Sequence, residues 1–119
     1  MSSNLLKNIG VGIDIIEISR FRKIQYESNK SFYKKIFTLS EIQYCTKYDD
    51  PYLHFAGKFA IKEATKKSIL KNVKMSDIIT SHKKSTPTVA IKNNKHYNFV
   101  VSVSHEKTHA IAVVLSIIS

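Results

Sequence analysis

The chain has 119 residues, 43% of them hydrophobic, and a formal net charge of +10 from 19 Lys and Arg against 9 Asp and Glu. That length and apolar content suit one domain over residues 1–119 with a modest core, and the charge favours an anionic partner. No apolar run is long enough to span a bilayer, and the single Cys45 excludes an internal disulfide.

The start, Met1 to Lys7, lacks the charged opening and long apolar centre of a secretory leader, so a cytoplasmic protein with no membrane contact is expected. Ile9 to Ile16 is apolar and β-branched, interrupted by Gly10, Gly12 and Asp14, and reads as a buried strand. From Glu17 the period becomes helical, with Ile18, Phe21 and Ile24 or Gln25 on one side and Arg20, Arg22 and Lys23 elsewhere. Phe32 to Phe37 reads as a short helix or turn. Thr38-Leu39-Ser40-Glu41 matches a capping box and opens a helix through Tyr44 and Tyr48, with Cys45 as a buried thiol. Asp50-Pro51 is a second start signal, Asp as N-cap and Pro at the first helical position, for a helix reaching about Leu70.

The second half reads as strands. Ser76 to Ser81 and Thr88 to Lys92 are expected to be extended, with Pro87 and a Lys-Ser loop between them. Phe99 to Ser104 alternates, sending Phe99, Val101 and Val103 one way and Ser102 and Ser104 the other. Ala110 to Ile118 is almost wholly apolar and reads as a central strand, joined by the short hairpin His105-Glu106-Lys107-Thr108. A strand, then helices, then several strands predicts an α+β fold whose largely antiparallel sheet packs against a long helix.

One stripe of that helix carries the functional signal. Phe55, Phe59, Glu63 and Lys67 follow at i, i+4 spacing, passing from aromatic core to a charged pair at its edge. Alone, Glu63 and Lys67 are most cheaply an ion pair on a solvated face. Alone, Asp14 divides evenly between a salt bridge to one of the many Lys or Arg and a functional carboxylate. Together, one Asp on a strand end and one Glu on a packed helix suit Mg²⁺, which takes few carboxylate oxygens, keeps waters and completes its shell with phosphate. Lys67 then lies within reach of that phosphate. His105 is either an inconsequential loop histidine or a phosphate contact or proton carrier at the same cleft. The remaining histidines, His54, His82, His96 and His109, lack metal-site spacing, and glycine-rich phosphate loops are absent. Arg20, Arg22 and Lys23 are a solvated face or, as a cluster, a dock for an acidic partner.

Three blocks in this order resemble the holo-acyl-carrier-protein synthase family of 4′-phosphopantetheinyl transferases. Gly10-Val11-Gly12-Ile13-Asp14-Ile15-Ile16-Glu17-Ile18-Ser19-Arg20 is similar to its G-x-G-x-D-[IV]-x-E-[IL]-x-R block. Phe55 to Lys67 is similar to its F-x-[AG]-[RK]-F-A-x-K-E-A-x-x-K helix, and Val101-Ser102-Val103-Ser104-His105 to its V-S-[IVL]-[ST]-H strand and turn. The resemblance covers nearly the whole chain. It implies transfer of 4′-phosphopantetheine from coenzyme A to a serine of apo-acyl carrier protein, releasing adenosine 3′,5′-bisphosphate, in a setting such as fatty acid biosynthesis.

By motif position the resemblance makes Asp14 and Glu63 the Mg²⁺ ligands, and Lys67 a contact of the transferred phosphate. It puts Lys58 and His105 at the coenzyme A phosphates and Arg20, with Arg22 and Lys23, at the carrier-protein surface. Glu63 acting through a bound water is the preferred base, Asp14 the second candidate. Lys58 stands where the family often has Arg, which keeps the charge and loses the fork. The family's F-G-T-G turn after the helix is replaced by Ser68-Ile69-Leu70-Lys71-Asn72-Val73. That suggests Asn72 in the left-handed region. Short members of the family are trimers with the site between subunits. Two other readings stay open: a non-enzymatic basic module for nucleic acid or an acidic protein, which salt-sensitive binding independent of Asp14 and Glu63 would reveal, and a degenerate transferase that binds coenzyme A without turnover.

Overall fold

The structure, a computed structural model, describes residues 7–119. The expectation for the leader falls mostly on residues 1–6 and lies outside the described residues. Among the described residues no helix is long and apolar enough to cross a membrane.

Strand β1 (Ile9–Glu17) is followed by a short helix α1 (Ser19–Arg22), a 3₁₀ turn (Tyr26–Ser28), and helices α2 (Lys30–Ile36) and α3 (Leu39–Thr46). The long helix α4 (Pro51–Ile69) comes next. A 3₁₀ turn (Met75–Asp77) leads into β2 (Ile78–Lys83), β3 (Thr86–Ile91), β4 (Tyr97–His105) and β5 (His109–Ile118). All strand pairs are antiparallel, but they form two sheets: a three-stranded β1-β5-β4 and a two-stranded β2-β3. The α+β architecture and the central place of Ala110 to Ile118 are as expected.

β5 alternates strictly. Ala110, Ala112, Val114 and Ser116 are buried against α4, while Ile111, Val113, Leu115 and Ile117 face outward. Small residues on the inner face let the helix lie close. On β1 the approach is closer still. A Cβ on Gly10 would collide with the Ser68 carbonyl oxygen, and one on Gly12 with the Ala64 carbonyl oxygen and the Ser68 amide. Neither glycine has a positive φ, so close approach alone explains them. Behind the helix, Phe21, Tyr33, Phe37 and Phe55 form one aromatic cluster, with Tyr33 and Phe55 rings 4.6 Å apart. Tyr33 satisfies its hydroxyl by donating to the Phe21 and Ile24 carbonyls.

Several sequence expectations are corrected. The helix after Glu17 stops after one turn, because Gln25 is extended, its side-chain amide donates to the Arg22 carbonyl, and Tyr26 N donates to the Tyr52 hydroxyl instead of continuing the ladder. Helix α3 ends at Thr46, before Tyr48. Asp50 does sit at the N-cap position with Pro51 first in the helix, as expected, but it makes no side-chain cap bond; each of its oxygens accepts from the Arg22 guanidinium at 2.9 Å. Residues 75–77 form a 3₁₀ turn, so β2 starts later than Ser76 and runs to Lys83, and Pro87 lies within β3. That position is permitted because a two-stranded sheet consists of edges. Lys84 and Ser85 both have positive φ, the backbone of a tight two-residue hairpin. At the end of α4 the left-handed residue is Leu70 (φ 55°, ψ 34°), not Asn72. The reversal must occur at the first residue past the helix, where the Leu70 amide still reaches the Lys66 carbonyl, and the Leu70 side chain stands in solvent.

Candidate active site

The capping box is present as expected. Thr38 N donates to Glu41 Oε1 at 2.8 Å and Glu41 N to Thr38 Oγ1 at 3.2 Å. Its glutamate also does something the sequence did not reveal. Glu41 is fully buried and pairs with Lys62 Nζ at 2.8 Å, while Glu41 Oε2 accepts from Thr80 N and Thr80 Oγ1, both at 2.7 Å. Lys62 also donates to the Met75 and Ile78 carbonyls. Burial alone would push the Glu41 carboxyl up. The Lys62 ammonium, with the donors of Thr80 and Thr38, overcomes this and holds it below the usual carboxylate range.

Lys58 is also buried, and its ammonium donates to Thr80 Oγ1 at 3.0 Å. Its Nζ stands 4.6 Å from the Tyr44 ring centre. Burial pushes its pKa down from the usual lysine value. Lys58 lies on the wall of a cavity of about 170 Å³ shared with Tyr44, His54, His82 and His105. Two of the residues named from sequence, Lys58 and His105, therefore meet in one cleft. Cys45, behind it, is buried, and burial pushes its thiol up to about 12.

The stripe on α4 behaves as a gradient. Phe55 is fully buried, Phe59 and Glu63 are partly buried and Lys67 is exposed. Phe59 is thus a rim residue rather than core, edge-on to Phe21 at 5.4 Å and under the Arg20 guanidinium at 5.6 Å. Lys67 does not pair with Glu63. Its ammonium donates to Asp14 Oδ1 and to the Ile13 carbonyl, both at 3.1 Å. Gly10 lies against Ser68 and Gly12 against Ala64, so β1 and α4 run in opposite directions at matched pitch. Two strand residues rise about as far as four helix residues. Asp14 therefore stands near the level of Ala60, and Lys67 reaches back past Glu63 to touch it. Among the described residues Glu63 has no hydrogen bond or ion pair.

Asp14 and Glu63 offer hard oxygens, and the second oxygen of Asp14 makes no hydrogen bond or ion pair among the described residues. No group of three His, Cys, Asp or Glu side chains gathers there or elsewhere among the described residues. Two carboxylates beside a lysine fit a hard cation that keeps waters and shares a phosphate, not an all-protein cage. The third sequence cluster is divided. Arg22 is tied to Asp50, whereas Arg20 and Lys23 are exposed beside it.

A family model described as the 4′-phosphopantetheinyl transferase superfamily matches residues 10–114. The chain belongs to this superfamily. It is 34% identical over 113 residues to a holo-[acyl-carrier-protein] synthase of Thermodesulfovibrio yellowstonii, covering 89% of this chain and 96% of the relative. It is 36% identical to one of Clostridium tetani, covering 87% and 91%. Among solved structures it is similar to the Helicobacter pylori holo-[acyl-carrier-protein] synthase in complex with coenzyme A, at TM-score 0.78 and 30% identity, covering 92% and 99%. A Bacillus anthracis holo-(acyl-carrier-protein) synthase in complex with CoA (3′,5′-ADP) aligns at TM-score 0.81 and 28% identity, covering 92% and 96%.

Sequence reasoning missed Glu41, Lys62, Thr80, Tyr44, His54 and His82 as parts of this region. One signal was available. Phe55, Lys58 and Lys62 are spaced i, i+3, i+7, so both lysines had to share the buried face with Phe55. Nothing in the sequence announced Thr80 or His82, which arrive from the second sheet.

Proposed function

We propose that the chain transfers 4′-phosphopantetheine from coenzyme A to a serine of an acyl carrier protein, with Mg²⁺ bound by Asp14 and Glu63. The observation that carries this is the seam where Lys67 is held on Asp14 beside Glu63, which has no ion pair among the described residues. The coenzyme A complexes of similar synthases support the co-substrate.

In the reaction the serine oxygen forms a bond to the phosphorus that carries pantetheine, and the bond from that phosphorus to the bridging oxygen breaks. Adenosine 3′,5′-bisphosphate leaves, and the serine proton passes through a water to Glu63. The bound cation would neutralise charge that builds on the phosphates. Lys67 supplies a fixed ammonium beside the same phosphates, preorganised by Asp14 and the Ile13 carbonyl. Lys58 and His105 receive coenzyme A phosphates in the neighbouring cleft. Arg20 and Lys23, with Arg22 as helper, receive the acidic carrier protein. The whole chain acts as one domain.

The outer face of the three-stranded sheet supports assembly as a homotrimer. Val11, Ile13 and Ile15 are each more than half exposed, and Val100, Val113 and Leu115 continue the patch. A contiguous apolar sheet face of this kind is costly in water and is covered by copies of the chain.

The test is a mass measurement on purified apo-acyl carrier protein with coenzyme A and Mg²⁺. The gain of a phosphopantetheinyl group is expected, and Glu63→Gln is expected to abolish it while keeping the fold. No gain, where another transferase modifies the same sample, refutes the reading.

A further inference from the structure

The cleft around Lys58 carries more positive charge than its protein partners balance. Lys58 reaches Glu41 only through Thr80, whose hydroxyl accepts from Lys58 and donates to the carboxylate. That carboxylate is already paired with Lys62. Two buried ammoniums thus share one buried carboxylate, and the surplus stands at the Lys58 end, on the cavity wall. Among the described residues no Asp or Glu lines that cavity. A buried surplus charge of this kind calls for a counter-ion.

Two histidines frame the opening. His54 from α4 stacks on Tyr48 at 3.8 Å with planes 21° apart, and His82 from β2 stacks on Tyr44 at 4.8 Å with planes 24° apart. Stacking fixes both rings at the mouth, with His105 of β4 across the cavity. The charges facing His54 are His105, Asp50, Lys58 and His82; those facing His82 are Lys58 and Lys47. Only Asp50 among them is negative, and Arg22 holds it. Burial first, then these positive neighbours, push both imidazoles below the ordinary histidine value, with Asp50 alone opposing at His54. They are neutral when the cleft is empty at neutral pH. A dianion over Lys58 reverses the balance, since it favours the imidazolium form on both sides.

We propose that His54 and His82 read the charge of the ligand: each gains proton occupancy when a phosphate monoester binds over Lys58. Binding is then coupled to proton uptake and strengthens as pH falls through the neutral range. The inference rests on the reading of this cleft as the seat of coenzyme A phosphates. It assigns to His54 and His82 a specificity role that the sequence motifs do not carry.

The experiment is isothermal titration calorimetry of the full chain with adenosine 3′,5′-bisphosphate at pH 7, repeated in phosphate-free buffers of different ionisation enthalpy. The slope of observed enthalpy against buffer enthalpy gives the protons taken up. Wild type is expected to take up roughly half to one proton per nucleotide. His54→Asn and His82→Asn are each expected to lower that number, and the double variant to bring it near zero. Lys58→Gln is expected to weaken binding at least tenfold. A zero or negative slope with Lys58-dependent binding overturns this inference and leaves the cleft reading intact. A positive slope unchanged in the double variant also overturns it, because the protons then go elsewhere. Absent binding, or binding indifferent to Lys58→Gln, overturns the cleft reading and this inference with it. The wild-type slope needs no variant to fold.

Discussion

Lys62 lies in the middle of the family motif, yet the structure gives it a structural task, and replacing it tests that assignment. In Lys62→Met the chain keeps similar side-chain volume and loses the ammonium bonded to Glu41. The Met75 and Ile78 carbonyls lose a donor as well. Glu41 keeps its bonds from Thr38 N, Thr80 N and Thr80 Oγ1, so it remains hydrogen-bonded but uncompensated. Breaking one partner of a buried pair costs about 3–5 kcal/mol. Against a typical domain stability of about 5–15 kcal/mol, that is a large fraction. With a urea slope of about 1–3 kcal/mol per M, the midpoint should fall by more than about 1 M.

The pH dependence supplies a second reading of the same variant. In the parent chain the Glu41 carboxyl lies below its unfolded value, so its contribution is present above that value and fades as pH falls through the folded one. In Lys62→Met burial dominates, the carboxyl rises above its unfolded value, and protonation relieves the penalty. The gap between the two proteins should therefore be full near neutral pH and narrow as pH falls toward the ordinary carboxylate range. Urea unfolding followed by circular dichroism, at one fixed protein concentration, measures both effects. A cost below about 1 kcal/mol, or a gap that widens on acidification, would refute the reasoning.

Other outcomes follow from separate features. Gly12→Ala should lower stability by about 1–3 kcal/mol or more, because the atom in the way is a helix carbonyl that cannot swing aside. Its transfer rate should fall further than its folded fraction, since α4 carries Glu63 and Lys67; equal losses would argue against the seam as the site. Val113→Glu should keep the circular dichroism spectrum and convert the proposed trimer to monomers in sedimentation; a sedimentation pattern unchanged from the parent chain would exclude this sheet face as the interface. Arg22→Ala should cost at most about 1 kcal/mol, since both partners of its bridge to Asp50 are nearly half exposed. The Arg22 guanidinium holds the Asp50 carboxyl below its usual range, so even that small difference should vanish on acidification; a constant difference from pH 7 to pH 2 would contradict the pairing.

Local signals were enough to place five elements: apolar runs for β1 and β5, start signals for α3 and α4, and alternation for β4. Gly10 and Gly12 were visible as interruptions, but their purpose was not. It depends on how close α4 lies to β1, and no local pattern encodes that distance. A boundary failed where the chain took a partner other than its helical one: Tyr26 N bonded the distant Tyr52 hydroxyl, and the Gln25 side chain took the Arg22 carbonyl, so α1 was not extended. The start of α4 at Pro51 was read correctly, though the Asp50 side chain bonds Arg22.

The sequence by itself determined which residues carry charge at a core edge: Asp14 inside an apolar strand, and Glu63 and Lys67 continuing the Phe55 stripe. It left their pairing open, and the i, i+4 spacing favoured Glu63 with Lys67. Tertiary structure decided otherwise. The antiparallel descent of β1 along α4 brings Asp14 within reach of Lys67, which leaves Glu63 without a partner among the described residues. The same packing sorts the lysines of one helix by depth. Lys62 meets Glu41 in the core, Lys58 opens on a cleft, and Lys67 stands at the rim. Spacing fixes which face a side chain shares; only the elements packed on that face decide whether its charge is neutralised or left for a ligand.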